Sequence, residues 1–158
     1  MAELAEGAKA PEIRLKTHTG EDFVLSRHKG KPVILFFYPK ADTPGCTTEA
    51  CEFRDAQAQF DAAGAVVVGI SPDSVAKQGK FQSKYGLTAI LLADEENRAA
   101  TDYGVWVEKS MYGKKYMGVE RTTFLIGKDG RIVKVFRKVK PAGHAEQVLA
   151  EMNALGMI

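Results

Sequence analysis

Cys46 and Cys51 are the only two cysteines among 158 residues, and both fall in one short stretch, Tyr38-Pro39-Lys40-Ala41-Asp42-Thr43-Pro44-Gly45-Cys46-Thr47-Thr48-Glu49-Ala50-Cys51. Thiols so placed point to joint chemistry: attack on an electrophile, disulfide exchange or binding of a soft metal. In each the reacting species is the thiolate. The stretch must therefore ionise one sulfur and define how the second can reach it.

Local sequence meets the first need. Thr43 suits the cap of a helix and Pro44 its first position, where a missing N–H costs nothing, so Cys46 falls in the first turn. Unpaired backbone N–H groups and the helix dipole there favour a thiolate. The gain matters, because a thiol of pKa about 8.5 is only a few per cent ionised at neutral pH and one near 6 is about nine-tenths ionised. Reach is harder. Residues i and i+5 of an ideal helix stand about 8.6 Å apart at Cα, and disulfides seldom span more than about 6.8 Å. Cys46 and Cys51 could pair only if the first turns unwound, so a switch in local structure between reduced and oxidised states is predicted. Gly45, Thr47 and Thr48 lower the cost of that unwinding.

The elements that must position this stretch can be read from patterning. Residues 32–38 (PVILFFY) form a continuous apolar, β-branched and aromatic run, the mark of a central strand covered on both faces. Upstream, residues 12–25 alternate around His18-Thr19-Gly20 and read as an N-terminal hairpin. Downstream, 46–62 reads as one helix, 65–70 as a second buried strand, 75–85 as an amphipathic helix ending at Gly86, 90–93 as a strand and 94–103 as a short helix. Residues 105–119, rich in glycine, lysine and aromatics, read as an irregular loop bordering the site. A hairpin over 122–136 turns at Gly127-Lys128-Asp129-Gly130, and 143–155 closes the chain as a helix. The order predicts a three-layer α/β domain, a mixed central sheet flanked by helices, with the N-terminal hairpin as an extension. Such an arrangement resembles a thioredoxin-like fold.

Composition bounds the alternatives. The length fits a single domain over 1–158, with residues 1–10 expected to be flexible. A formal charge of +2, from 22 basic and 20 acidic residues, is too small for a general nucleic-acid binder. Lys109, Lys114, Lys115 and the segment 134–140 are locally basic, a solvated face or a docking surface for an acidic partner. No run has the length and apolarity of a transmembrane span, and residues 1–11 lack a secretory pattern. A reducing cytoplasm is therefore expected, where cysteines usually owe their presence to reactivity or metal binding.

Pro39, Thr43 and Cys46 stand in the Pro-x-x-x-Thr-x-x-Cys pattern of peroxiredoxins, and the longer run YPKADTPGCTTEAC resembles the bacterioferritin comigratory protein, or peroxiredoxin Q, branch. The likeness recurs at GISPDS (69–74), GVWVEK (104–109), GVERTTF (118–124) and 138–149, far more than one short motif. The segment Leu87-Thr88-Ala89-Ile90 departs from the aromatic–proline pair of many relatives.

The resemblance implies a thiol-dependent peroxidase that reduces hydrogen peroxide and organic hydroperoxides in antioxidant defence. Cys46 would be the peroxidatic cysteine, oxidised to a sulfenic acid, and Cys51 the resolving cysteine that closes an intramolecular disulfide. Thr43 would supply a hydroxyl to thiolate and peroxide, Pro39 would shield the site, Arg121 would support the thiolate and Glu49 would orient Arg121. Thioredoxin or a related dithiol is the implied reductant, with no metal or organic cofactor and a monomer as the working unit. These roles make chemical sense: negative charge grows on the leaving oxygen during in-line displacement, so donors fixed beforehand lower the barrier. Arg121, Thr43 and the backbone N–H groups near Gly45 and Cys46 are the candidate donors.

Plainer readings stand beside these. Cys51 could only pack, Arg121 could be a surface residue at the start of a strand, and Glu49 could complete a cap or face water. His18, His28 and His144 read as surface or packing residues, and Trp106, Met111, Tyr112 and Tyr116 as an apolar border. Two other functions compete. A general thiol–disulfide oxidoreductase normally carries Cys-x-x-Cys rather than the spacing found here. A copper- or other metal-binding protein would join the two thiolates with a histidine.

Overall fold

The computed structural model describes residues 4–157. In chain order the elements are β1 (Arg14–Thr17), β2 (Asp22–Val24), β3 (Val33–Phe37), α1 (Pro44–Asp55), α2 (Gln57–Ala62), β4 (Val66–Ser71), α3 (Val75–Tyr85), β5 (Ile90–Ala93), α4 (Arg98–Asp102), β6 (Trp106–Met111), β7 (Lys114–Val119), β8 (Thr122–Ile126), β9 (Ile132–Phe136) and α5 (His144–Ala154).

Strand β3 is the axis of the molecule, and its composition explains why. Ile34 and Phe36, with Tyr38 just beyond, face one core; Val33, Leu35 and Phe37 face the other. A strand buried on both sides needs apolar residues at every position. It pairs in parallel with β4 and antiparallel with β8, and the seven-stranded sheet runs β2-β1-β5-β4-β3-β8-β9. This is the expected mixed sheet flanked by helices, with β1 and β2 forming the expected hairpin at one edge. Among the described residues no helix is long and apolar enough to cross a membrane.

Three expectations change. The helix predicted over 46–62 is two, broken at Ala56 (φ −95°, ψ 7°), although no glycine or proline marks the break. Phe53 and Phe60, one from each piece, meet across it with ring centroids 5.6 Å apart. The predicted loop at 105–119 is a regular hairpin, β6 against β7, outside the main sheet. Its two-residue turn has Tyr112 and Gly113 both at positive φ (52° and 76°), the conformation that matches strand twist in tight hairpins. Finally, the lead-in expected to be flexible is tied down from Gly7 onward: Gly7 N–H donates to the Ile132 carbonyl (2.7 Å) and Ala10 N–H to that of Gly130 (3.0 Å). Residues 1–3 of that stretch lie outside the described residues.

Candidate active site

The site forms at the end of the sheet where β3 stops and β8 starts. Because the two strands are antiparallel, Phe37 pairs with Thr122, and the next residues outward are Tyr38 and Arg121. The chain leaving β3 turns into α1, with Thr43 at the cap position and Pro44 first in the helix, as the sequence predicts. Cys46 therefore lies in the first turn, beside the amides that have no earlier helical carbonyl to bond.

Helix α1 buries Cys46, Glu49, Ala50 and Phe53, the i, i+3, i+4, i+7 stripe of one helical face. Within that stripe stands a carboxylate, and its partner is Arg121. One guanidinium serves two acceptors: Nη2 donates to Cys46 Sγ at 3.2 Å and Nη1 to Glu49 Oε1 at 2.8 Å. The Glu49 side chain is 0% exposed and that of Arg121 15%. Burial alone would lower the pKa of the guanidinium, but Cys46 and Glu49 beside it raise it, so Arg121 stays a cation. Burial also pushes the Glu49 carboxyl up to about 7 against the opposing pull of Arg121. A fixed guanidinium donating to sulfur stabilises a thiolate over a thiol. Arg121 itself is anchored through its carbonyl, which accepts from Val139 N–H at 2.9 Å.

Cys51 lies five residues on in the same helix, half-buried against the core that holds Cys46, and both thiols are free. With α1 wound, helix geometry keeps their Cα atoms about 8.6 Å apart. Cys46 is 1% exposed. Pro39 is half-buried in the loop that leads from β3 to α1. Thr43 departs from its implied bond: the hydroxyl neither caps α1 nor points its proton at sulfur, but donates to the Lys40 carbonyl at 2.8 Å. Asp42, with φ of 60°, makes the turn that brings this carbonyl back.

A buried polar network holds the same loop from beneath. Tyr38 Oη donates to Gln78 Oε1 (2.6 Å), Gln78 Nε2 to Ser71 Oγ (2.9 Å), and Ser71 Oγ to Asp73 Oδ2 (2.6 Å). Asp73 Oδ2 in turn accepts from Ala41 N–H at 2.7 Å. In the sequence Ser71 and Asp73 stand out only as part of the family-like stretch 69–74.

His144 is the main residue that sequence reading underrates. It is buried at the start of α5, with Nε2 2.7 Å from Thr123 Oγ1 and 4.0 Å from Glu49 Oε2. The available signal was a polar residue on the apolar stripe His144, Ala145, Val148, Met152. Lys109 also comes close: burial and the neighbouring Arg121 hold its ammonium below the ordinary range, and its Nζ donates to the Val119 carbonyl. His18 and His28 do pack, the first accepting from Leu91 N–H and the second stacked on Phe23. Among the described residues no three His, Cys, Asp or Glu side chains gather as a metal-ligand cluster. A groove of about 330 Å³ lined by Lys9, Leu25, His28 and Ile126 lies at the opposite end of β3 from Cys46.

Known proteins resemble this chain in both sequence and fold. The AhpC/TSA family model matches residues 7–135. The chain is 51% identical over 147 residues to peroxiredoxin Bcp of Bacillus subtilis, covering 93% of this chain and 94% of that one. It is 52% identical to a putative peroxiredoxin Bcp of Coxiella burnetii, with 92% and 97% covered. Among solved structures, a PrxQ mutant from Xylella fastidiosa superposes with a TM-score of 0.93 at 36% identity, covering 99% of both chains. The bacterioferritin comigratory protein of Xanthomonas campestris, studied for alkyl peroxide reduction, gives 0.86 at 41% identity over 90% of both. With a thioredoxin-like α/β fold in common and half its residues shared with such relatives, the chain belongs to the AhpC/TSA family, in the Bcp/PrxQ branch of the peroxiredoxins.

Proposed function

We propose that this thiol peroxidase uses Cys46 to reduce hydrogen peroxide and organic hydroperoxides, and Cys51 to resolve the product within the same chain. The observation that carries the reading is the 3.2 Å donation from Arg121 to the Cys46 sulfur, with the guanidinium braced by Glu49.

A lone pair of the thiolate attacks one peroxide oxygen, the S–O bond forms and the O–O bond breaks. The departing hydroxide or alkoxide takes up a proton to leave as water or alcohol, and the sulfur becomes a sulfenic acid. Arg121, already aimed at the reacting sulfur, and the first-turn amides of α1 stabilise the charge that develops on oxygen. Thr43 joins them once its hydroxyl turns from the Lys40 carbonyl, and Pro39 walls the approach. Next α1 unwinds, the Cys51 thiolate attacks the sulfenic sulfur, and hydroxide leaves with a proton as water. A dithiol such as thioredoxin then reduces the disulfide by exchange. The alkyl peroxide chemistry of the Xanthomonas relative supports including organic hydroperoxides. A monomer in the cytoplasm suffices, since both thiols lie on one helix.

Stopped-flow mixing of the reduced protein with peroxide tests the reading. Wild type should consume about one equivalent rapidly, and Cys46→Ser should lose that phase. Rapid turnover by Cys46→Ser would end the proposal.

A further inference from the structure

Glu49 and His144 make a buried contact that this chemistry leaves unused. Both side chains are 0% exposed. Glu49 Oε1 is committed to Arg121, whereas Oε2 has no hydrogen-bond partner among the described residues, and His144 Nε2 stands 4.0 Å from it. The ring is held from other sides, by Gln147 Oε1 at 2.9 Å from Nδ1, by Thr123 Oγ1, and edge-on by Phe53 and Phe136. The charged groups that bear on the two are Arg121 ahead of β8, itself acted on by Cys46, and Glu52 on α1. A carboxylate oxygen with no donor in a dry core is costly as an anion. An imidazolium beside a guanidinium is costly as well.

We propose that Glu49 and His144 hold one proton between them, and that His144 is thereby a positioning residue for the peroxidase step, setting through Glu49 how much of the Arg121 charge falls on the Cys46 sulfur. The proposal rests on Cys46 being the reacting thiolate. While the proton stays on the pair, sulfur is the only anion competing for the guanidinium. Once it leaves, carboxylate and thiolate divide a single cation.

The environments favour such sharing. Burial raises the Glu49 carboxyl to about 7, and burial together with Arg121 holds His144 below its ordinary value, so the proton rests on the carboxyl, the reverse of the order in water. A second base beside the acid gives the proton another place to reside and raises the pH at which the pair loses it. His144→Gln removes that place and brings an amide N–H within reach of Oε2. Both changes favour the ionised carboxylate at lower pH.

The test is the rate constant of Cys46 with hydrogen peroxide from pH 5.5 to 9, in wild type, His144→Gln, Glu49→Gln and the double variant. His144→Gln should be slower than wild type by up to about twofold near pH 7, the effect of a half-unit fall in the pH at which a carboxyl raised to about 7 loses its proton, and should converge with it by about pH 8.5. In the Glu49→Gln background the pH-dependent difference should vanish. An equal loss at every pH, as a merely structural role would give, or an unchanged profile overturns the proposal. Should His144→Gln not fold, infrared difference spectra of the wild type between pH 5.5 and 8.5 decide. A buried carboxylic-acid band lost on raising the pH and missing from Glu49→Gln is expected, and its absence overturns the proposal. Full turnover by Cys46→Ser would instead remove the reading beneath it, whereas an inactive Cys46→Ser with a pH-uniform His144→Gln removes this inference alone.

Discussion

Arg121 serves a sulfur and a carboxyl group with one guanidinium, and the proposed chemistry depends on where it is held. Gly45 enforces that placement from the other side. A Cβ there would meet Arg121 Nη2 at 3.2 Å and Pro141 Cγ at 3.3 Å, closer than ordinary van der Waals contact, so one neighbour must yield by a few tenths of an ångström. Gly45→Ala should therefore displace the guanidinium rather than unfold the protein. The expected outcome is a rate constant with peroxide lower by about tenfold, given that displacements of about 1 Å can cost 10²-fold, with circular dichroism unchanged. An unaltered rate would show that Arg121 tolerates movement and plays a lesser part. The positions of Cys46, Thr43 and Pro44 were legible at this scale because helix-start preferences are local, although the Thr43 hydroxyl bonds the Lys40 carbonyl and not α1. Arg121 and Glu49 were not legible from their own surroundings, since 72 positions separate them and only the β3–β8 register brings them together. Resemblance to a family named them; patterning did not.

Helix α1 is the element that must both hold the site and release it. Glu52 Oε1 accepts from Gly143 N–H at the head of α5 (2.8 Å), a contact that favours the wound form, whereas Thr48 Oγ1 donates back to the Pro44 carbonyl (3.0 Å), a bond that slightly weakens the helix. Glu49 lies between the two cysteines, so unwinding brings it into water. Its carboxyl titrates near 7 when buried and near 4.5 when free. The buried form thus holds its proton more tightly, and its contribution to the wound state is complete below about 4.5 and lost as pH rises through about 7. The difference amounts to about 3 kcal/mol. Hydrogen exchange of α1 amides, corrected for intrinsic rates, should lose protection between pH 5 and 7, while Glu49→Gln stays flat. Protection that rises with pH in the wild type would contradict this linkage. The β6–β7 hairpin escaped sequence reading for a local reason: its tight turn uses Tyr112 at positive φ, where Asn or Asp before glycine would have signalled the turn. The break at Ala56 carries no sequence signal, and nothing in the residue types around it explains its position.

Across the whole molecule, topology brings the parts together. The parallel pair β3–β4 and the antiparallel neighbour β8 put the end of one buried strand and the start of another at the same end of the sheet. The loop carrying Cys46, the Arg121 segment and the head of α5 all converge there. The α/β class was readable because the apolar run at 32–38 and the strand–helix alternation are strong patterns. His144 was not, because its role depends on a helix some hundred residues away from its partner in sequence. On the proposed scheme both thiols lie on one helix, so the disulfide forms without a second copy of the chain. Intact-mass spectrometry after one equivalent of peroxide tests this most directly. The account predicts that the wild-type chain loses about 2 Da and forms no covalent dimer, that Cys51→Ser instead gains about 16 Da, and that Cys46→Ser keeps its mass. An unchanged wild-type mass, or the same oxidised product from Cys46→Ser, would contradict it.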